Sequence, residues 1–167
     1  MIVSLDDGEI LADLPRDAAT AARVVRIEGR ADLWSYAHPL LALTEISGSA
    51  DLEGYAHELP ALTRIGGSAY LRGYAHALPT LALIGGSAFL RDYAHMPHWI
   101  GYIGDDRRGY SFWADLARGR VRAGCHSFTP EEALAHWGPG GPSDRPDCLA
   151  LAKQAIVLIE RSKEVWT

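Results

Sequence analysis

A 19-residue unit is written four times between residues 29 and 104, and this repetition limits the possible folds more than any other feature of the chain. The copies begin at Gly29, Gly48, Gly67 and Gly86, and the third reads GSAYLRGYAHALPTLALIG. Self-similarity at a period near 20 residues is typical of a solenoid, because so short a unit buries its apolar face only by stacking on its neighbours. The sequence therefore predicts four stacked coils.

The positions that hardly change between copies are predicted to point into the solenoid. In each copy an alanine is followed two residues later by a leucine, which places both on one face of a strand. A second apolar group ends each unit. We expect one short parallel strand per copy and a tight corner at each Gly or Ser pair, because glycine tolerates positive φ. The inward positions are Ala31, Ala50, Ala69 and Ala88, then Leu33, Leu52, Leu71 and Leu90, and finally Ile46, Ile65, Ile84 and Ile103.

The regular leucines resemble those of leucine-rich-repeat proteins and related single-sheet solenoids. This chain differs from them in two ways: alanine and tyrosine occupy positions where leucine is usual, and no return segment is long enough for a helix. The resemblance therefore implies a compact, β-helix-like coil. The predicted fold class is mainly β with α, namely a β-solenoid.

Segments without the repeat flank the solenoid on both sides. Residues 1–28 are predicted to cap it, with a short helix over residues 17–23 and a strand from Val24. Residues 105–167 are predicted to form a β-hairpin and two helices that close the far end. Alternating residues mark hairpin strands at 110–115 and 120–125, and Thr129-Pro130-Glu131-Glu132 is a capping-box helix start. The second helix is expected over about residues 147–163.

The outward strand positions are the candidate binding surface. They are mainly acidic in the first two copies and aromatic or arginine in the last two, and aromatic residues and arginine dominate interface hot spots. Two interpretations stay open: the surface binds a protein partner, or it is covered internally and stabilised by cross-strand pairs. The candidate partner-binding residues are Trp34, Asp51, Glu53, Tyr70, Arg72, Phe89 and Arg91.

A Tyr-Ala-His triplet recurs in every copy and would stack its imidazoles in a ladder. Ligands in a line do not form the tetrahedral or octahedral cage that zinc or magnesium requires. We therefore expect structural rungs, each hydrogen-bonded to the adjacent turn, and neither a metal nor a cofactor. The column contains His38, His57, His76 and His95.

Part of the C-terminal third resembles the tails of uncharacterised bacteriophage and prophage proteins. The resemblance lies in Gly109-Tyr110, Phe112-Trp113-Ala114, the run AGCHSFT over residues 123–129, Glu132-Ala133 and His136-Trp137. It implies a small accessory protein of a mobile element. Such proteins often bind and inhibit a host defence complex, as anti-CRISPR proteins do.

Composition favours some partners and locations over others. The chain has 16 basic and 21 acidic residues, a net charge of −5, whereas a nucleic-acid binder normally carries a basic surplus. No apolar run approaches the roughly 20 residues of a membrane helix. Two cysteines, Cys125 and Cys148, are too few for a disulfide framework, which indicates free thiols in a reducing cytoplasm. A single disulfide between them is the alternative.

The predicted function is a non-catalytic protein-binding module. One alternative is nucleic-acid binding, or mimicry of nucleic acid through the acids. Another is an enzyme using Cys125 beside His126, but adjacent strand residues point to opposite faces, and Cys125 is expected in the core. The last alternative is a homo-oligomer built through a sheet edge. The oligomeric state itself stays open. The basic residues that would bind nucleic acid are Arg107, Arg108, Arg118, Arg120 and Arg122.

Overall fold

The computed structural model describes the backbone of residues 1–165 and the side chains of residues 1–163. The chain separates into two compact units, Met1–Pro97 and His98–Thr167. Among the described residues, no helix is both long and apolar enough to cross a membrane.

The first unit begins with a small antiparallel arrangement that leads into the repeats. Strand β1 pairs antiparallel with both β2 and β3. Helix α1 starts where predicted, because the Asp17 carboxylate accepts a hydrogen bond of 2.9 Å from the Thr20 N–H and caps the first turn. Strands β1 and β2 were not predicted from the sequence. The elements are β1 (Ile2–Leu5), β2 (Ile10–Leu11), α1 (Ala18–Ala21) and β3 (Val24–Glu28).

Each of the first three repeats contributes two strands of two residues rather than the single strand predicted, and the fourth contributes one such strand. The second apolar group also forms a strand, because the return backbone must find hydrogen-bond partners in the neighbouring coil as well. The result is a β-solenoid of about three turns with two sheets, in which the strands of the repeats run parallel to one another. The strands are β4 (Ala31–Asp32), β5 (Glu45–Ile46), β6 (Ala50–Asp51), β7 (Arg64–Ile65), β8 (Ala69–Tyr70), β9 (Leu83–Ile84) and β10 (Ala88–Phe89).

The repeats stack in register, so equivalent residues lie directly above one another. In the sheet β10-β8-β6-β4, Ala50 pairs with Ala31 on one side and Ala69 on the other. In the sheet β2-β1-β3-β5-β7-β9, Ile46 and Ile65 pair in the same way. The predicted inward leucines and alanines are at most 1% exposed. This confirms the inward face of the repeat.

The predicted fourth coil is not completed. Its final isoleucine, Ile103, lies in β11 (Ile100–Asp105), which belongs to the second unit and pairs antiparallel with another strand of that unit. The fourth copy departs from the regular pattern after His95, where Met-Pro-His-Trp replaces the Leu-Pro corner of the second and third copies. The stacking therefore ends at β10.

The junction glycines are required for a reason other than the one predicted. Gly29 has a φ of 91°, but the junction glycines of the later copies are not in the left-handed region. A Cβ at Gly66 would instead overlap the carbonyl oxygen of Ser47, and one at Gly67 would lie 2.7 Å from the carbonyl carbon of Gly48. Glycine is needed because the backbone of the preceding coil occupies the place of a side chain.

The second unit is a four-stranded antiparallel sheet in the order β11-β12-β13-β14, with two helices packed on it. The predicted hairpin is confirmed as β12 and β13, and the two outer strands were not predicted. The predicted capping box is present: Glu132 N–H donates to Thr129 Oγ1 at 3.1 Å, and Thr129 N–H donates to Glu132 Oε2 at 2.7 Å. The remaining elements are β12 (Ser111–Asp115), β13 (Arg120–Ala123), β14 (His126–Phe128), α2 (Pro130–Trp137) and α3 (Pro146–Val165).

The expected core position of Cys125 is wrong. Strand β13 ends at Ala123 because Gly124, at a φ of 53°, turns the chain towards β14. Cys125 lies in that turn and is exposed. Cys148 is buried in α3 against the sheet, where burial raises the pKa of its thiol. Both cysteines are free thiols.

Candidate partner-binding site

The seven predicted partner-binding residues lie along the outer side of the sheet β10-β8-β6-β4. One column consists of the outward strand residues, which stack in register from coil to coil. The other column lies two residues further along each coil, in the turn after the strand. We call this surface the repeat face. Its residues are Asp32, Asp51, Tyr70 and Phe89 in the first column and Trp34, Glu53, Arg72 and Arg91 in the second.

A β-turn in each coil positions the second column. In the second and third coils the turn is closed by hydrogen bonds of 3.1 Å from Tyr55 N–H to the Leu52 carbonyl and of 3.0 Å from Tyr74 N–H to the Leu71 carbonyl. The third residue of such a turn takes positive φ in a type II geometry, which favours glycine. Gly54 has a φ of 78° there. The residue before it therefore points away from the core and stays exposed.

Trp34 is the most exposed aromatic residue of the repeat face. Its side chain is 66% exposed, yet the indole packs against the backbone of the next coil at Gly54. A Cβ at Gly54 would lie 2.6 Å from Trp34 Cδ1 and 2.7 Å from Nε1. Glycine at this position thus lets the indole lie close to the coil while leaving most of its surface in solvent.

Three acidic residues line a cavity together with Trp34. They are Asp32, Asp51 and Glu53, and the cavity has a volume of about 270 Å³. Asp51 lies 3.8 Å from the Arg30 guanidinium, measured from Oδ2 to Nη2. The site is therefore acidic and has one aromatic wall, and its volume is below the roughly 300–1,000 Å³ of small-molecule pockets. It suits one cationic side chain.

The aromatic pair at the other end of the repeat face stabilises the sheet. Tyr70 and Phe89 are half-buried, and their rings stack with centroids 4.5 Å apart at an interplanar angle of 6°. Stacked aromatic neighbours on adjacent strands contribute to sheet stability. The two interpretations of the face therefore apply to different parts of it: cross-strand pairing to Tyr70 and Phe89, and exposure of an aromatic anchor to Trp34.

The Tyr-Ala-His column clamps each coil to the one before it. In the third coil, the Tyr74 hydroxyl donates to the His57 carbonyl at 2.8 Å, and His76 Nε2 lies 2.9 Å from the Ala56 carbonyl. A carbonyl oxygen only accepts, so Nε2 carries the proton. Equivalent imidazole bonds from His38 and His57 confirm the predicted hydrogen bond to the adjacent turn.

The first rung of this column anchors the N-terminal segment. The Tyr36 hydroxyl donates to the Pro15 carbonyl at 2.8 Å, and His38 Nε2 lies 2.9 Å from the Arg16 carbonyl. Within the described part of the chain, no group of three or more histidine, cysteine or acidic side chains is arranged to hold a metal ion.

The buried tyrosines predict a loss of stability at alkaline pH. Burial raises the pKa of Tyr93 to about 12 from an ordinary value of about 10, and it raises the pKa values of Tyr55 and Tyr74 as well. Below about pH 10 all three are neutral in both states and their stabilisation is complete. As the pH rises from about 10 to 12, the unfolded chain loses protons that the folded chain retains, so the free energy of unfolding falls.

For Tyr93 alone, the raised pKa corresponds to a loss of about 3 kcal/mol in the free energy of unfolding. Urea unfolding at a series of pH values between about 9 and 12 measures this loss. Tyr74→Phe should show a shallower decline than the wild type, because it has one fewer group to ionise. If the free energy of unfolding of the wild type stays constant across this pH range, the prediction is wrong.

The C-terminal arginines considered for nucleic-acid binding have partners within the second unit. Arg118 lies 3.3 Å from Asp115, Arg120 lies 3.4 Å from Glu132, and Arg108 lies 3.6 Å from Asp106. Arg107 lies 3.9 Å from Asp147. Arg122 is 7% exposed, and its guanidinium lies 5.2 Å from the centre of the Trp113 ring. Four of these arginines thus lie within 4 Å of local carboxylates, and the fifth, Arg122, is buried.

A second cavity, which the sequence analysis missed, lies beside α2. It has a volume of about 460 Å³ and is lined in part by Arg120, Phe128, Glu132 and His136. Arg120 donates to the Ser127 hydroxyl and the Ser127 carbonyl, both at 2.8 Å. The aromatic residues of β14 and α2 were the only sequence signal for it.

Of the residues proposed for a cysteine enzyme, Cys125 is exposed in the turn after β13, and His126 begins β14. The His126 ring packs against Phe128, with centroids 5.5 Å apart, and lies 6.1 Å from the His136 ring.

Comparison with protein-family models, curated proteins and solved structures finds no match for the chain. The resemblance of the C-terminal segment to phage and prophage tails therefore stays a prediction.

Proposed function

We propose that this protein is a non-catalytic module that binds a protein partner through the repeat face. The observation that carries the proposal is the exposed indole of Trp34, which is seated on Gly54 and lines a cavity with three acidic residues. Tryptophan is among the residues that contribute most to binding at protein interfaces. When a partner covers its large apolar ring, the area removed from water contributes favourably to the free energy of binding.

The chemistry of the cavity specifies what the partner presents. An arginine or lysine side chain that enters it lies against the indole face, where the ring quadrupole attracts a cation. The carboxylates of Asp32 and Glu53 accept charge-assisted hydrogen bonds from the same group. The partner surface is therefore basic at this point and carries at least one protruding Arg or Lys.

The resemblance of the C-terminal segment suggests the class of partner. On this basis we propose that the protein is an accessory protein of a mobile element and acts in the cytoplasm of a bacterial cell. Its proposed partner is a host defence complex, which it inhibits. Many such complexes bind nucleic acid and so present basic surfaces, to which an acidic site is complementary. Co-expression in a host with an active defence system should reduce interference with a targeted plasmid.

Trp34→Ala tests the binding face. Immobilised wild-type protein, Trp34→Ala and the control Leu41→Ala are used to capture proteins from host lysate. Leu41 is a large apolar residue of the same coil, 49% exposed and outside the repeat face. Each protein retained by the wild type is then purified and titrated against all three.

Because truncation of a hot-spot residue costs about 2 kcal/mol or more, Trp34→Ala should weaken binding by about 30-fold or more. Leu41→Ala should leave the affinity close to that of the wild type. Equal affinities for the wild type and Trp34→Ala would rule out the repeat face as the binding surface.

A further inference from the structure

We infer that the repeat face also binds a second copy of this chain in an antiparallel, two-fold symmetric dimer. The face is acidic at one end of the solenoid and basic at the other. Asp32, Asp51 and Glu53 belong to the first two coils, and Arg72 and Arg91 to the last two. A surface with this gradient is complementary to itself after a half-turn. The inference goes beyond the binding of a different partner.

The symmetry follows from the geometry of the stacked coils. A two-fold axis that lies between two such faces, parallel to the strands, reverses the order of the coils and leaves the two columns aligned. If it passes between the second and third coils, the first coil of one copy faces the fourth coil of the other. Both copies have the same strand spacing of about 4.8 Å, so every coil meets its counterpart in register.

This arrangement brings complementary groups together at three of the four facing pairs, and at the fourth it places Asp32 opposite Phe89. Glu53 faces Arg72 of the second copy, a carboxylate opposite a guanidinium. Asp51 faces Tyr70 of the second copy, whose hydroxyl is a hydrogen-bond donor. Trp34 faces Arg91 of the second copy, which suits a cation over an indole. Each contact occurs twice because a two-fold interface uses the same patch on both copies.

The small area of the face limits the strength of the association. Four strands span only about 14 Å along the solenoid, so each copy contributes much less than the roughly 800 Å² of a stable interface. The dimer is therefore weak and transient, and it is sensitive to salt. It covers Trp34, so a protein partner must displace the second copy before it binds.

Charge reversal tests this dimer. Sedimentation equilibrium at low salt, over about 10 µM to 1 mM, is measured for the wild type, Glu53→Arg, Arg72→Glu and an equimolar mixture of these two variants. Glu58→Arg is the matched control, because Glu58 is exposed in the same coil as Glu53 but lies beyond the histidine column. Circular dichroism establishes that each variant is folded.

Each single reversal turns two attractive contacts into two repulsive ones, so each should weaken self-association by about tenfold or more. In the mixture, Arg at position 53 of one chain faces Glu at position 72 of the other, and association should return to within about threefold of the wild type. Glu58→Arg should behave as the wild type does. A wild-type protein that is monomeric throughout, or a mixture that stays as weak as the single variants, would overturn the inference.

Discussion

Substitution of Gly66 by alanine is expected to lower the free energy of unfolding by about 3 kcal/mol or more, at the upper end of the cost of an overpacked site. The added Cβ would overlap the carbonyl oxygen of Ser47 in the preceding coil. That oxygen belongs to backbone held in the ladder of hydrogen bonds, where Gly66 N–H donates to the Ile46 carbonyl at 2.7 Å. Relief of the overlap therefore requires two coils to separate.

Gly73→Ala is the matched control for Gly66→Ala. Gly73 has a φ of 66°, and a Cβ there would meet no atom within 4 Å. Its substitution adds only the cost of a left-handed conformation, about 1–2 kcal/mol. Urea unfolding of the two variants measures the difference. If Gly66→Ala costs no more than Gly73→Ala, close approach of the coils is not the reason for the junction glycines.

The period of the repeat made the core predictable. Because equivalent residues recur every 19 positions, a residue such as Leu71 has a counterpart in each neighbouring coil, and an unchanged apolar position indicates burial. The second strand of each coil was not predictable in the same way. A strand of two residues, such as Arg64–Ile65, is too short to show an alternating pattern.

The junction glycines show a second limit of sequence reasoning. Composition located the corners, but glycine satisfies two different requirements, positive φ and close approach of another backbone. Gly54 meets the first and Gly66 the second. Only the positions of atoms in the preceding coil distinguish them. Cys125 was misplaced for a related reason, because the turn at Gly124 interrupts an alternation that looks continuous in sequence.

The candidate site was predictable as a set of positions and not as a cavity. The repeat guarantees that outward residues of successive coils are neighbours, so Trp34 and Glu53 had to lie close together. That the indole would settle on Gly54 depends on its side-chain rotamer and on the room left by a missing Cβ. Neither is visible in the spacing of the repeat, and the acidic cavity depends on both.

Tyr74→Ala is expected to have an effect at least as large as that of Gly66→Ala, about 3–5 kcal/mol, as for other large buried aromatic residues. Tyr74 is 2% exposed. Its ring stacks between those of Tyr55 and Tyr93, with centroid distances of 6.5 and 6.1 Å. Removal of the ring leaves a cavity in the middle of the ladder and deprives both neighbours of a stacking partner.

The hydroxyl and the ring of Tyr74 can be separated experimentally. Tyr74→Phe keeps the ring but leaves the His57 carbonyl without its 2.8 Å bond from this hydroxyl, which should cost about 1–3 kcal/mol. Tyr70→Ala is the matched control, since Tyr70 belongs to the same coil but is only half-buried on the repeat face. Because its loss exposes part of Phe89 and opens no cavity, it should cost about 1 kcal/mol. Equal losses for Tyr70→Ala and Tyr74→Ala in urea unfolding would mean that the tyrosine ladder does not hold the coils together.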